Sequence, residues 1–146
     1  MAEVFECGCK FEVLGGDIIY DPNIETLPLN CEHTWDMISE GNTKGVFQLE
    51  SQLGRSMSEK AKPRSIEELS DLIAIIRPGC MEAIVDGKSL TQHYIDRKQG
   101  IDPVEYFHGA LKPILSSTYG ILVYQEQALL IARDIGGFNL QEADIL

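Results

Sequence analysis

GILVYQEQALLIARDIGGFNLQEADIL, residues 120–146, is the stretch around which the chain is organised. It opens on a short apolar run, Ile121-Leu122-Val123-Tyr124, and continues as a helical run over 125–135. Ala128, Leu129, Ile131, Ala132 and Ile135 make that helix more than half apolar, so it is expected to be packed on most sides. Gln125, Glu126 and Gln127 fall in its first turn, where polar and acidic groups complement the helix dipole. Gly136-Gly137 stops it, and Asn139 caps a second helix with Glu142 three positions on. That second helix reaches only about two turns before Leu146, and a helix so short draws its stability from packing. The chain therefore reads as one cut short.

Working back toward the N-terminus, helical signals continue. Ser65-Ile66-Glu67-Glu68 is a capping box, and Ile66, Leu69, Leu72, Ile73 and Ile76 form one apolar stripe behind it. Arg77-Pro78-Gly79 ends that helix, because the residue before a proline is pushed out of the helical region. Ser89 caps a helix through Gln99 that Gly100 stops and that presents His93, Arg97 and Lys98. A short helix with Pro113 is expected over 108–115. Ser51 caps another over 52–61. Arg55, Lys60, Lys62 and Arg64 give this region the densest positive charge in the chain, read as a solvated helix face. Gly45-Val46-Phe47-Gln48-Leu49 alternates apolar and polar and predicts a short strand. Thr34 is the expected cap of a helix over 34–40 that places Trp35 and Ile38 on one buried face.

Residues 3–20 read as β: Val4-Phe5, 10–14 and Ile18-Ile19-Tyr20, with a turn at Gly15-Gly16-Asp17. So small a sheet is marginal alone. Cys7, Cys9, Cys31 and His33 together supply the ligand set of a structural zinc site, although a one-residue spacer is not the usual knuckle. The expected fold class is α+β, mainly α, with a small N-terminal β meander.

Composition bounds the function. The 146 residues make one domain's worth of chain, with 44% apolar residues for a core and 8% aromatic ones. No secretory signal opens the chain and no run of about 18 apolar residues exists, which points to a soluble, cytoplasmic protein away from membranes. Net charge is −11 and uneven. Residues 1–45 carry nine acids and two bases, 46–101 eight of each, and 102–146 six acids and two bases. A free-standing nucleic-acid binder shows a basic footprint, so any DNA contact falls in the middle segment or in a larger assembly. Gly87-Lys88-Ser89 is not a P-loop, since Glu82 stands where the motif needs its first glycine. His93 has no nucleophile paired with it, and no catalytic set stands out.

Four strings change this picture: LPLNCEHTWDMISEGNTKGVFQLES (27–51), SIEELSDLIAIIRPG (65–79), YIDRKQG (94–100) and LKPILSSTYGILVYQEQALLIARDIGGFNLQEADIL (111–146). In this order and spacing they resemble the bacterial DNA polymerase III α subunit, the C-family replicative DNA polymerase, and a phage-encoded relative fits the same words. Residues 1–26 do not match that family. The resemblance divides the chain into a small β element at 1–26, an end-of-palm segment at 27–50 and a truncated helical fingers segment at 51–146. It implies a fragment or split subunit of a DNA-directed DNA polymerase, working on a DNA primer-template and dNTP together with the remaining polymerase segments. In the family, palm aspartates hold two Mg2+ ions for nucleotidyl transfer. Those motifs lie upstream of the matching strings, and a basic fingers segment follows them. No catalytic residue is therefore expected here, and the chain alone is expected to be inactive. Arg77, Arg97 and Lys98 are the candidate DNA or nucleotide contacts. The alternatives are a non-catalytic nucleic-acid or protein-binding module with the zinc knuckle, or an inactive truncated product.

Overall fold

The computed structural model describes residues 29–145, together with the backbone of three short strands before them. The described elements run β1 (Ala2–Val4), β2 (Lys10–Leu14), β3 (Asp17–Ile19), α1 (Glu32–Ser39), α2 (Gln52–Ala61), α3 (Ile66–Ile75), α4 (Pro78–Glu82), β4 (Ile84–Val85), β5 (Lys88–Ser89), α5 (Leu90–Lys98), α6 (Lys112–Leu115), α7 (Gln125–Asp134) and α8 (Leu140–Ile145). Single 3-10 turns flank α6. The fold is α+β and mainly α, as the periodicities require. The chain divides into two compact units, residues 1–69 and 70–146, with α3 running through the boundary.

In the first unit, β1, β2 and β3 pair antiparallel in sequence order, with Glu3 opposite Phe11 and Val13 opposite Ile18. This is the expected meander; its Gly15-Gly16 turn lies outside the described residues. α1 starts three residues earlier than the Thr34 cap implied. The amides of Thr34 and Trp35 both donate to the Cys31 carbonyl, so Cys31 is the cap residue and Thr34 lies exposed inside the first turn. Trp35 and Ile38 are buried, and the indole Nε1 donates to the Leu29 carbonyl at 3.0 Å. α2 is capped by Ser51, whose hydroxyl accepts from the Gly54 amide, as its sequence predicts. Arg64 pairs with Asp36 and Glu32, two exposed bridges of small worth.

The strand expected at 45–49 is absent. Residues 43–50 instead form successive turns, with Val46 N–H on the Thr43 carbonyl and Leu49 N–H on the Val46 carbonyl. Alternation specifies a strand only where a partner strand exists to pair with it. Here the buried Thr43 hydroxyl donates to the Leu49 carbonyl at 2.6 Å, closing the loop from inside. Gln48 takes a left-handed conformation, φ 63°, which no strand allows. Leu49 is fully buried, and the loop lies against α2 at Gly54. A β-carbon on Gly54 would stand 2.6 Å from both the Gln48 carbonyl oxygen and the Leu49 Cα, so only glycine fits there.

In the second unit, α3 buries Asp71, Leu72, Ala74 and Ile75, whereas Ile66 is exposed and Leu69, Ile73 and Ile76 are half-buried. The face turned inward is thus rotated from the apolar stripe, and it takes in a carboxylate. Its capping box is also displaced by one residue. Ser65 accepts from the Glu68 amide, but Glu68 reaches back to the Arg64 amide. Pro78 does end α3, and it also opens α4 at a position that needs no N–H. Ile84-Val85 and Lys88-Ser89 pair as a hairpin across the Asp86-Gly87 turn, both turn residues at positive φ. α5 is capped by the Ser89 hydroxyl, as predicted. α8 carries the reciprocal Asn139–Glu142 box, both bonds at 2.9 Å. α7 departs from expectation. Among its residues only Gln127 is buried, and Leu129, Leu130 and Ile131 are half-exposed.

Candidate functional site

The second unit is held together at its centre by polar side chains. Asp71, on the inner face of α3, is only 6% exposed, which obliges its carboxylate to find donors. Tyr94, on α5 and fully buried, donates to Oδ2 at 2.7 Å. Tyr124, just before α7, donates to Oδ1 at 2.5 Å. With its proton committed there, the Tyr124 oxygen accepts from the Ser70 hydroxyl at 3.0 Å. Burial, followed by the hydrogen bond to Asp71, pushes the Tyr124 phenol up from 10.0 to about 12, against a smaller downward pull from Ser70 and Arg77. Three segments distant in sequence thus meet on one carboxylate. The Tyr94 ring also meets Tyr119 edge to face, centroids 5.2 Å apart.

The loop that delivers Tyr124 is built with equal economy. Tyr119 and Gly120 both take positive φ, 53° and 79°. A β-carbon on Gly120 would stand 2.6 Å from the Glu105 carbonyl oxygen, which is why the turn has glycine there. Gln127 turns back from the first turn of α7. Its Oε1 accepts from the amides of Val123 and Tyr124, and its Nε2 donates to the Thr118 hydroxyl at 2.9 Å. Thr118 in turn donates to the Ile121 carbonyl at 2.6 Å. Thr118 and Gln127 are therefore both spent on shaping this loop.

The sequence-derived candidates separate on this frame. Arg77 is exposed at the cap of α4, close enough to Tyr124 to perturb its phenol, and its guanidinium makes no hydrogen bond or ion pair among the described residues. Arg97 turns inward: Nη1 donates to the carbonyls of Tyr119 (3.0 Å) and Glu105 (3.4 Å). Lys98 is half-exposed in the last turn of α5. Asp96 is engaged by Lys88 at 2.7 Å and by Gln92, rather than by its neighbours Arg97 and Lys98, and the Lys88 ammonium holds its carboxyl below the usual range. His93 is not presented outward with them. It is buried, with Nε2 2.8 Å from the Val85 carbonyl, tying α5 to the hairpin.

Of the zinc candidates, Cys7 and Cys9 lie outside the described residues. Cys31 is buried at the cap of α1, and His33 is exposed two residues on. Residues so spaced on a helix do not face each other. Among the described residues no three His, Cys, Asp or Glu side chains gather as a metal site requires. Among the described residues the carboxylates do not gather as a two-magnesium centre requires.

Asp71, Tyr94, Tyr124 and Gln127 were not singled out by motif. The signal was present for one of them: an acid inside the apolar run Leu69 to Ile76 has to be paired when that helix is buried.

Residues 17–146 match the bacterial DNA polymerase III alpha subunit finger domain, so the match begins ten residues before residue 27, where the resemblance was expected to start. The DNA polymerase III subunit alpha of Halalkalibacterium halodurans is 44% identical over 124 residues, covering 85% of this chain and 10% of that protein. The Bacillus subtilis subunit is 41% identical over 124 residues, with the same two coverages. The Helicobacter pylori subunit is 36% identical over 126 residues, 86% of this chain and 10% of that protein. The chain thus spans about a tenth of the length of the curated relatives it matches. Among the described residues no helix is long and apolar enough to cross a membrane. The chain belongs to the bacterial DNA polymerase III alpha subunit finger domain family.

Proposed function

We propose that this chain is the fingers scaffold of a DNA-directed DNA polymerase, and that it has no polymerase activity by itself. The observation that carries this is Arg77. An unpaired, exposed guanidinium stands at the end of α3, beside a helix junction held rigid by Asp71, Tyr94 and Tyr124. An exposed cation without a competing partner suits a phosphate of the primer-template or of an incoming dNTP. Lys98 is the second candidate contact, and Arg97 acts by fixing the backbone at Tyr119. The Mg2+ ions of nucleotidyl transfer, and the acids that hold them, belong to polymerase segments other than these residues, and those segments are the expected partners.

Two measurements test the reading. Primer extension by the purified chain with Mg2+ and dNTPs is expected to give no product, and extension by the chain alone would sink the scaffold assignment. Fluorescence anisotropy with a labelled primer-template across a salt series tests Arg77. Arg77→Ala is expected to weaken binding several-fold and to flatten the salt dependence by about one unit of slope. Equal affinity and equal slope would remove Arg77 from the interface.

A further inference from the structure

The loop that replaced the predicted strand exposes an aromatic ring. Phe47 is 80% exposed at the tip of the 43–50 turns, a poor place for a phenyl ring in water. The tip cannot simply fold it inward. The Thr43 hydroxyl holds the Leu49 carbonyl, Leu49 is sealed in the first unit's core, and Gly54 leaves no space between the loop and α2. Gln48 beside it keeps a left-handed backbone that a non-glycine residue rarely adopts. Lys44, three positions before Phe47, and Arg55, the residue after Gly54 on α2, are both exposed, and their side chains carry no hydrogen bond or ion pair among the described residues. The segment is basic by sequence in an acidic chain, although Arg64 is paired with Asp36 and Glu32 and Arg55 lines a cavity with Glu50 and Glu59. Residues 44–64 hold five bases and two acids, against a net charge of −11 for the whole. An exposed ring on a closed turn, with Lys44 on the same turn and Arg55 on the helix that the turn packs against at Gly54, is a combination that can bind single-stranded nucleic acid, the ring stacking on a base and the cations meeting phosphates.

We propose that the Lys44–Gln48 turn is a stacking platform for an unpaired base of single-stranded DNA. Phe47 supplies the ring, and Lys44 and Arg55 supply the phosphate contacts. This rests on the polymerase reading above and adds a second, separate DNA contact to it, one for the unpaired part of the template.

The test uses the full chain carrying Phe47→Trp, compared with the unsubstituted chain and Phe47→Ala. Phe47 is exposed, so neither substitution disturbs the core. An unlabelled single-stranded oligonucleotide titrated into Phe47→Trp is expected to quench the introduced indole, while the emission of buried Trp35, read from the unsubstituted chain, stays constant. An oligonucleotide of abasic sites should leave the indole unquenched, because the phosphates remain but the bases are gone. Phe47→Ala should bind a labelled oligonucleotide about ten-fold more weakly with an unchanged salt slope. Binding that persists in Phe47→Ala at full strength, with the indole unquenched, overturns the platform and leaves the polymerase reading standing. Equal quenching by abasic and normal strands also overturns it. No oligonucleotide binding by any of the three chains overturns both, and the exposed ring is then a contact for another protein segment.

Discussion

Asp71 is the residue on which the second unit's integrity turns, and its two phenol donors are unequal in a way that can be measured. Tyr94→Phe and Tyr124→Phe each remove one hydroxyl and keep the ring, so packing, including the Tyr94–Tyr119 ring contact, is preserved. A hydrogen bond to a charged group contributes about 1.5–3 kcal/mol. Tyr94 is fully buried and no solvent can replace its hydroxyl, so its loss should cost about 3 kcal/mol. Tyr124 is half-buried, and the freed Ser70 hydroxyl is placed to turn toward Asp71, so its loss should cost about 1.5 kcal/mol. The double substitution leaves the carboxylate with neither phenol, and should exceed the sum by about 1 kcal/mol. Native-state hydrogen exchange at the α3 and α5 amides, across a urea series, reads residues 70–146 on their own. Two results would refute the reasoning: Tyr124→Phe costing more than Tyr94→Phe, or either costing less than about 0.5 kcal/mol.

Three other expectations follow from the same geometry. The Tyr124 phenol titrates higher folded, at about 12, than its ordinary 10.0, so the fold favours the neutral form. Its contribution is fully present below pH 10 and is lost as pH rises toward 12; alkaline unfolding monitored by tyrosinate absorbance should show this, and Tyr124→Phe should flatten that part of the profile. Gly54→Ala drives a methyl group to 2.6 Å from the Gln48 carbonyl and should cost about 2 kcal/mol or more in thermal unfolding; a neutral outcome would mean the loop shifts freely, against the closure seen at Thr43. For metal, Cys31 buried and His33 exposed predict less than one zinc per chain in protein purified without added metal; a full equivalent, lost on Cys31→Ser, would establish the four-ligand set.

Much of the helical skeleton was legible because its signals are local. Ser51 and Ser89 cap their helices with their own hydroxyls, Asn139 exchanges bonds with Glu142, and Gly100 follows the end of α5. The family strings carried the identity of the segment for a related reason: the last of them includes a shape with few substitutes, as Gly120 demonstrates. What misled was burial. Gly45 to Leu49 alternates like a strand, yet a single threonine hydroxyl six residues from its acceptor turned it into a loop. α7 reads as a core helix, yet the residue it buries is a glutamine.

Spacing, caps and glycines were therefore enough for most of the helical segments, though not for α4, and for which family the chain belongs to, since those depend on neighbours within a few positions. The convergence of Asp71, Tyr94 and Tyr124, the inward turn of Arg97 and the outward one of Phe47 depended on partners up to 53 residues away. No periodicity encodes such pairings. They appear only when the chain has folded and each buried polar atom has had to find a partner.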